Sequence, residues 1–202
     1  MTSFLQQLGA TIASEKSSWV REFSCVKGEL CLYTEAQHIA ALLTFLRDDA
    51  RTACEQLMDV CGVDYPARNP RFEIVYNLLS VTKNHRIRVK LATSEASPVP
   101  SVCHIYPSAG WFEREVWDMY GVMFSGHPDL RRILTDYGFE GHPQRKDFPL
   151  TGFVELRYDE TEKRVKYSPV ELPQAYRSFD FLSPWEGAEY AAPATPEKAK
   201  GA

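Results

Sequence analysis

The segment from Gly110 to Leu134 concentrates the residue types that most often perform acid–base chemistry. Its sequence, GWFEREVWDMYGVMFSGHPDLRRIL, holds carboxylates, arginines and a histidine within one short stretch. A hydrolase or lyase would need two such acids, or an acid and a histidine, facing a cleft with pKa values that differ. The candidates for that chemistry are Glu113, Glu115, Asp118 and His127.

The same segment has the pattern of an amphipathic helix. The spacing predicts a helix over residues 111–120, with Phe112, Val116 and Met119 on one apolar stripe. On another face Arg114 and Asp118 form an i, i+4 pair, which would hold the acid ionised. Gly121 suits a left-handed residue after the last turn. These features favour structural or interface ion pairing over acid–base catalysis.

Two Gly-His-Pro sequences follow the predicted helix. His127 and His142 each precede a proline, and each is followed within a few residues by a basic pair, Arg131-Arg132 or Arg145-Lys146. Gly-His-Pro is typical of a turn. We expect the basic pairs to bind carboxylates or carbonyls of a partner, because arginine suits bidentate pairing. Two histidines fifteen positions apart are a weak basis for a metal site.

Several function classes lack their usual sequence support. The chain has neither a G-x-G-x-x-G nor a Walker sequence, and nothing resembles a Ser-His-Asp or Cys-His nucleophile arrangement. Its five cysteines form no Cys-x-x-Cys pair, so reduced packing thiols in a reducing compartment are favoured over a zinc or iron–sulfur site. A formal net charge of -4 gives no general reason to expect nucleic acid as a partner. No apolar run approaches the roughly 20 residues that span a bilayer, and no secretory signal is recognisable.

The first part of the chain alternates helical and strand patterns. Apolar residues predict a helix over residues 4–12, two strands around Lys27-Gly28, and a second helix over residues 39–46. Thr34 and Gln37 have the spacing of a capping box for that second helix. The sequence EQLMDVCGVDYP is typical of a further strand.

Residues 71–93 predict an antiparallel hairpin. RFEIVYNLLSV and HRIRVKLAT both alternate, and TKNH between them is turn-like. Arg86, Arg88 and Lys90 would form a basic outer row. RNA binding through that row is one interpretation, but a solvated face is favoured because no aromatic residues interleave with the charges.

The pattern changes after about Ser125. Prolines and glycines interrupt every periodicity, yet large aromatics persist, so the segment has apolar surface and no core of its own. The predicted fold class is α/β (α+β): an N-terminal mixed sheet with flanking helices, then an extended C-terminal arm with little regular structure. The predicted organisation is a domain over 1–124, a partner-wrapping segment over 125–187 and a disordered tail over 188–202.

The run EREVWDMYGVMFSGHPDLRRIL resembles the signature of one family, the 30-kilodalton-type subunit of respiratory complex I, the NADH:quinone oxidoreductase. The resemblance continues through DVCGVDYPARNPRFEIVYNLLS, TDYGFEGHPQRKDFPLTGFVELRYDETEKRV and FDFLSPWEG. It implies a core subunit of the peripheral arm that has no active site, flavin or cluster of its own. FMN and iron–sulfur clusters then belong to partner subunits, and the assembly transfers electrons from NADH to quinone and translocates protons.

The resemblance also implies partners, a location and interface residues. We expect a hetero-oligomer with the large quinone-site subunit and the terminal-cluster subunit, peripheral on the inner face of the energy-transducing membrane. That face is the cytoplasmic side in a bacterium, or alternatively the mitochondrial matrix side. An equivalent subunit of a membrane-bound hydrogenase-type complex is the alternative. The expected signature and interface residues are Glu113, Arg114, Glu115, Asp118, His127, Arg131, Arg132, Arg145, Lys146, Phe181 and Trp185.

Overall fold

The computed structural model describes residues 2–174 of the chain. Three helices and nine strands follow one another over this part. The helices are α1 (Thr2–Glu15), α2 (Ile39–Asp48) and α3 (Ala109–Tyr120). The strands are β1 (Val20–Val26), β2 (Glu29–Thr34), β3 (Gln56–Asp64), β4 (Phe72–Ser80), β5 (His85–Thr93), β6 (Val99–Pro100), β7 (Phe124–Ser125), β8 (Val154–Asp159) and β9 (Arg164–Pro169).

Five strands form one mixed sheet, as the sequence predicts. Their order is β1-β2-β5-β4-β3, and all neighbours are antiparallel except β2 and β5. The parallel register pairs Leu30 with Ile87 and Leu32 with Val89, so alternate apolar residues of both strands share a face. These residues and the buried stripes of the three helices belong to one hydrophobic core. The predicted α+β architecture is confirmed.

The helix over residues 39–46 is confirmed, but its predicted capping box is wrong. A short 3-10 turn, Ala36–His38, leads into α2, and no side chain caps either element. Thr34 ends β2, and its hydroxyl donates to the carbonyl oxygen of Trp19 over 2.7 Å. The residue at the N-cap position is Glu35, so Thr34 lies one residue too early for its hydroxyl to cap the helix. The amide of Gln37 donates instead to the carboxylate of Glu35.

The predicted hairpin is β4 and β5, and its basic row is partly neutralised. Arg88 donates to Glu29 over 2.8 Å, and Lys90 donates to Glu73 over 2.8 Å. Arg86 is exposed. Two of the three cations thus pair with acids of neighbouring strands, which leaves little concentrated positive charge for a phosphate backbone.

The first compact unit covers residues 1–152, whereas the sequence suggests a boundary at residue 124. Residues 126–152 contain no helix or strand, but they form hydrogen bonds with α3 and with the β3–β4 end of the sheet. A second unit begins at Phe153 and contains the antiparallel hairpin β8–β9. Phe181, Trp185 and the predicted tail over 188–202 lie outside the described residues.

Candidate functional site

Helix α3 carries the polar residues that the sequence singles out. It runs from Ala109 to Tyr120, close to the predicted bounds, and Val116 and Met119 are buried as expected. Glu113, Arg114 and Asp118 are buried as well, while Glu115 is exposed. The buried side of this helix is therefore charged as well as apolar, and each buried charge needs a partner within the fold.

Glu113 receives hydrogen bonds from the loop before the helix. Its carboxylate accepts from the hydroxyl of Ser101 over 2.6 Å, the backbone N–H of Val102 over 2.8 Å and the thiol of Cys103 over 3.4 Å. The side chain has no exposed surface. The acid therefore holds residues 101–103 against α3, and among the described residues no arginine pairs with it.

His127 connects the turn after β7 to the start of α3. The backbone N–H of Asp129 donates to Nδ1 over 3.0 Å, so the ring proton lies on Nε2 and is donated to the carbonyl oxygen of Gly110 over 3.0 Å. The distance from Nε2 to the nearer carboxylate oxygen of Glu113 is 3.9 Å. Both ring nitrogens are thus engaged within the chain.

Arg114 does not form its predicted pair with Asp118. Its guanidinium donates to the carbonyl oxygens of Arg131 and Arg132, over 3.0 Å and 2.8 Å, and lies over the ring of Trp111. The i, i+4 spacing is correct, but the loop returning over the helix offers two carbonyl acceptors to the same guanidinium. The fork of donors on arginine suits such a pair of acceptors.

Asp118 is the most completely bonded acid of the site. One carboxylate oxygen accepts from Arg132 over 2.7 Å and from the hydroxyl of Thr135, and the other accepts from the backbone N–H groups of Ile133, Leu134 and Thr135. Burial alone raises the pKa of Asp118, but these hydrogen bonds outweigh it and hold the pKa far below its ordinary value of 3.8. An acid held ionised in this way is a poor proton donor or acceptor near neutral pH.

The end of α3 is capped by a later part of the chain. Gly121 has φ 78°, as the sequence predicts. His142 Nδ1 lies 2.9 Å from one carbonyl oxygen of the last turn, and the N–H of Gln144 donates to another over 3.1 Å. Burial lowers the pKa of His142. The second Gly-His-Pro sequence thus satisfies carbonyls that a helix end leaves unpaired.

The basic pair Arg145-Lys146 also serves the chain's own fold. Arg145 donates to the carbonyl oxygen of Tyr120 over 2.7 Å and to the carboxylate of Glu95 over 2.7 Å. The backbone N–H of Lys146 donates to the buried carboxylate of Asp64 over 2.7 Å. For Arg145, carbonyl and carboxylate acceptors of the kind that we expected in a partner are found within this chain.

Arg131, Lys146 and Glu115 remain on the surface. Arg131 pairs with Asp129 over 2.8 Å, with both side chains more than half exposed. Glu115 borders a shallow cavity of about 120 Å³ together with Asp59, Cys61 and other residues. Of the predicted interface residues that the structure describes, these three are the ones classed as exposed.

Three residues that bond to the acids of α3 are not predicted from the sequence. Ser101, Cys103 and Thr135 supply side-chain hydrogen bonds to Glu113 and Asp118. Each lies outside the predicted helix, and small hydroxyl or thiol residues in loops carry no distinctive pattern. Fold and site together define a class of protein in which an α+β domain uses buried charges of one helix to hold the loop that returns over that helix.

Comparisons with known proteins give the family. A family model described as the respiratory-chain NADH dehydrogenase 30 Kd subunit matches residues 32–154. The C subunit of NADH-quinone oxidoreductase from Rhizobium johnstonii is 60% identical over 200 residues, 99% of this chain and 100% of that protein. The protein of the same name from Maricaulis maris is 58% identical over 201 residues, 100% of each chain. The chain belongs to the family of respiratory-chain NADH dehydrogenase 30 kDa subunits, as its signature predicts.

A solved structure shares the fold. One chain of the membrane-bound sulfane sulfur reductase, an archaeal respiratory membrane complex, matches with a TM-score of 0.61 and 27% sequence identity. The match covers 72% of this chain and 85% of that chain. Within residues 2–174, no helix combines the length and apolar character that a membrane crossing needs.

Proposed function

We propose that this chain is a core subunit of the peripheral arm of NADH-quinone oxidoreductase and supplies no catalytic group of its own. In this role it organises the quinone-reducing module, while the assembly transfers electrons from NADH to quinone and translocates protons. The identity of about 60% to a protein named as the C subunit of that enzyme, over nearly the whole chain, supports the assignment to the complex.

The state of the signature acids supports a structural role. Glu113 and Asp118 have no exposed side-chain surface, and each accepts at least three hydrogen bonds from its own chain. A general acid or base must reach a substrate proton, directly or through one water. A hydrolase or lyase would then have only the exposed Glu115 as its acid. His127 would not serve it as a base, because both of its ring nitrogens form hydrogen bonds within the chain.

The hairpin β8–β9 carries the proposed docking surface. Its two strands alternate, so Val154, Leu156, Tyr158 and Val165 share one face, while charged residues occupy the other. These four apolar side chains are between 51% and 61% exposed. A contiguous exposed apolar face of this kind is typical of a protein–protein interface. This amphipathic hairpin is the observation that carries the proposed docking role.

The occupant that we propose for this face is the large quinone-site subunit, with the terminal-cluster subunit as a second neighbour. FMN and the iron–sulfur clusters then lie in partner subunits. The chain reaches the membrane only through the complex, on the cytoplasmic side of the bacterial inner membrane. Phe181 and Trp185, which continue the signature beyond the described residues, are proposed to extend the same interface.

Val165→Asp tests the docking face. A tagged chain replaces the native one in cells, the complex is affinity-purified in mild detergent, and co-purifying chains are identified by mass spectrometry. An aspartate at a buried interface position loses apolar contact and buries a charge, so recovery of the quinone-site subunit should fall at least about tenfold. Arg164→Asp, one residue away on the opposite face, is the matched control and should retain the partner.

Two results would refute the proposal. One is a wild-type chain that purifies alone, and the other is equal recovery of the quinone-site subunit with Val165→Asp and Arg164→Asp. Quinone reductase activity that follows the isolated chain and disappears in Glu115→Gln would instead favour an enzyme. The second candidate is the equivalent subunit of a membrane-bound hydrogenase-type complex, and the likeness to a chain of an archaeal respiratory membrane complex is consistent with it. A large co-purifying partner with nickel-binding Cys-x-x-Cys pairs would identify that case.

A further inference from the structure

Three potential metal ligands meet beside the start of α3. The ligand atoms of Cys103, Glu113 and His127 all lie within 4.8 Å of one another. They come from the loop before the helix, from the helix itself and from the turn after β7. Their spacing in the sequence matches no metal-binding motif, so only the fold brings them together. No part of the proposed docking function uses this cluster.

The separations suit one small cation. The Cys103 sulfur lies 3.4 Å from a carboxylate oxygen of Glu113, and that oxygen lies 3.9 Å from Nε2 of His127. Ligand atoms bound at zinc distances in a tetrahedron are roughly 3.5 Å apart. The thiol–carboxylate distance already has about this value, and the other two need a contraction of roughly 1.3 Å or less.

The charge and burial of the cluster also favour a divalent ion. The side chains of Glu113 and His127 are 0% and 2% exposed. A thiolate and a carboxylate together neutralise one divalent cation, so the loaded site would carry no net charge into the interior. A sulfur, an imidazole nitrogen and a carboxylate oxygen form a donor set that zinc accepts and that magnesium or calcium does not prefer.

Tyr76 is a buried polar group that the fold leaves without a partner. Its side chain is fully buried, and its hydroxyl makes no hydrogen bond in the structure. A buried hydroxyl without a partner costs about 1–3 kcal/mol. Burial raises the pKa of Tyr76, and the charges of Glu113 and Cys103 raise it further, so the hydroxyl interacts electrostatically with two of the three candidate ligands.

Coordination by His127 requires one proton to move. In the structure Nε2 carries the ring proton and Nδ1 accepts from the N–H of Asp129. A metal on Nε2 shifts the proton to Nδ1, and the exposed Asp129 amide then bonds to water instead. The thiol proton of Cys103 leaves to solvent. Binding therefore releases one proton and ends three local hydrogen bonds, those of Nδ1 with the Asp129 amide, of Nε2 with the Gly110 carbonyl oxygen and of the Cys103 thiol with Glu113.

We propose that Cys103, Glu113 and His127 bind one zinc-class divalent cation. Such an ion would fix the loop at residues 101–103, the first turns of α3 and the turn at residue 127 to one another. The site is structural in kind, since all three ligands are at least partly buried.

Cobalt and zinc titrations of the purified full-length chain test the site. The chain is first treated with a chelator and then titrated with Co²⁺, and Zn²⁺ affinity is measured in competition with a chromophoric chelator. We expect one equivalent of metal and a near-ultraviolet sulfur-to-cobalt charge-transfer band. Cys103→Ser should abolish the band and raise the Kd for Zn²⁺ at least about a hundredfold, because thiolates supply much of zinc affinity.

Two further variants separate ligation from damage to the fold. Cys25→Ser alters another partly buried thiol that lies in β1 and should leave both the band and the affinity unchanged. His127→Asn should weaken binding while far-ultraviolet circular dichroism stays native. A wild-type chain that takes up well under one equivalent of either ion would overturn the proposal. So would a sulfur-to-cobalt band that persists in Cys103→Ser.

Discussion

Asp118→Asn tests whether the signature acids serve the fold. One carboxylate oxygen accepts three backbone N–H groups of residues 133–135, and the other accepts from Arg132 and the hydroxyl of Thr135. An asparagine can turn its oxygen to the three amides. Its NH₂ group then faces the Thr135 hydroxyl, which can rotate to accept, and the Arg132 guanidinium, which cannot.

The cost follows from the group left unpaired. The Arg132 side chain is 14% exposed, so the substitution leaves a largely buried cation with only the carbonyl oxygen of Gly141 and Thr135 as polar partners. Breaking a buried ion pair on one side typically costs about 3–5 kcal/mol. We expect the free energy of unfolding of Asp118→Asn to fall by about 3–5 kcal/mol, measured by urea denaturation.

Asp129→Asn is the matched control. The Asp129–Arg131 pair has a similar distance of 2.8 Å, but its side chains are 59% and 52% exposed. Exposed pairs contribute little to stability, because water screens the charges, so Asp129→Asn should lower the free energy of unfolding far less than Asp118→Asn does. Equal losses of stability in the two variants would refute the view that Asp118 holds the loop at residues 131–135 against α3.

Three shorter predictions follow from the same contacts. Because the pKa of Asp118 lies below 3.8 in the folded chain, the ionised carboxylate stabilises the fold above that pH, and this stabilisation is lost as pH falls. The difference in the free energy of unfolding between wild type and Asp118→Asn should therefore shrink between about pH 5 and pH 2, measured by urea titration. Gly121→Ala puts a Cβ against the side chains that cap α3, whereas in the control Gly28→Ala the backbone has a similar φ and the Cβ meets open space. We expect Gly121→Ala to lower Tm by several degrees more than Gly28→Ala, and equal shifts in Tm would refute the steric argument. Tyr106→Phe removes the 2.6 Å bond to the buried carbonyl oxygen of Cys54 and should cost about 1–3 kcal/mol in the same denaturation assay; no loss would mean that another donor satisfies that oxygen.

Local patterns account for much of the fold. The stripe at Leu42, Leu43 and Leu46 predicts α2, and alternation predicts β4 and β5, because periodicity reports which face is buried. Gly121 is predictable because few other residues adopt its left-handed backbone. The hairpin β8–β9 also alternates, but the surrounding prolines and glycines conceal its pattern.

The partners of the buried charges are harder to predict. Arg114 and Asp118 have the spacing of an ion pair, yet each bonds to the loop at residues 131–135. Backbone carbonyls and amides are the same at every position, so the sequence does not reveal where a loop will present them. Glu113 likewise pairs with Ser101, whose position relative to the helix is set by the tertiary fold.

The density of charge in the signature has a physical explanation without catalysis. Residues 126–152 contain neither helix nor strand, so their backbone groups have no regular ladder to join. Charged side chains of α3 and of the loop itself supply the missing partners: Arg114 takes carbonyls, Asp118 takes amides, and Arg145 caps the helix end. A charge-assisted bond is stronger than a neutral one, which suits a segment whose backbone forms no regular ladder. Loss of one such charge should therefore change the surface offered to a partner before it changes any chemistry in the complex.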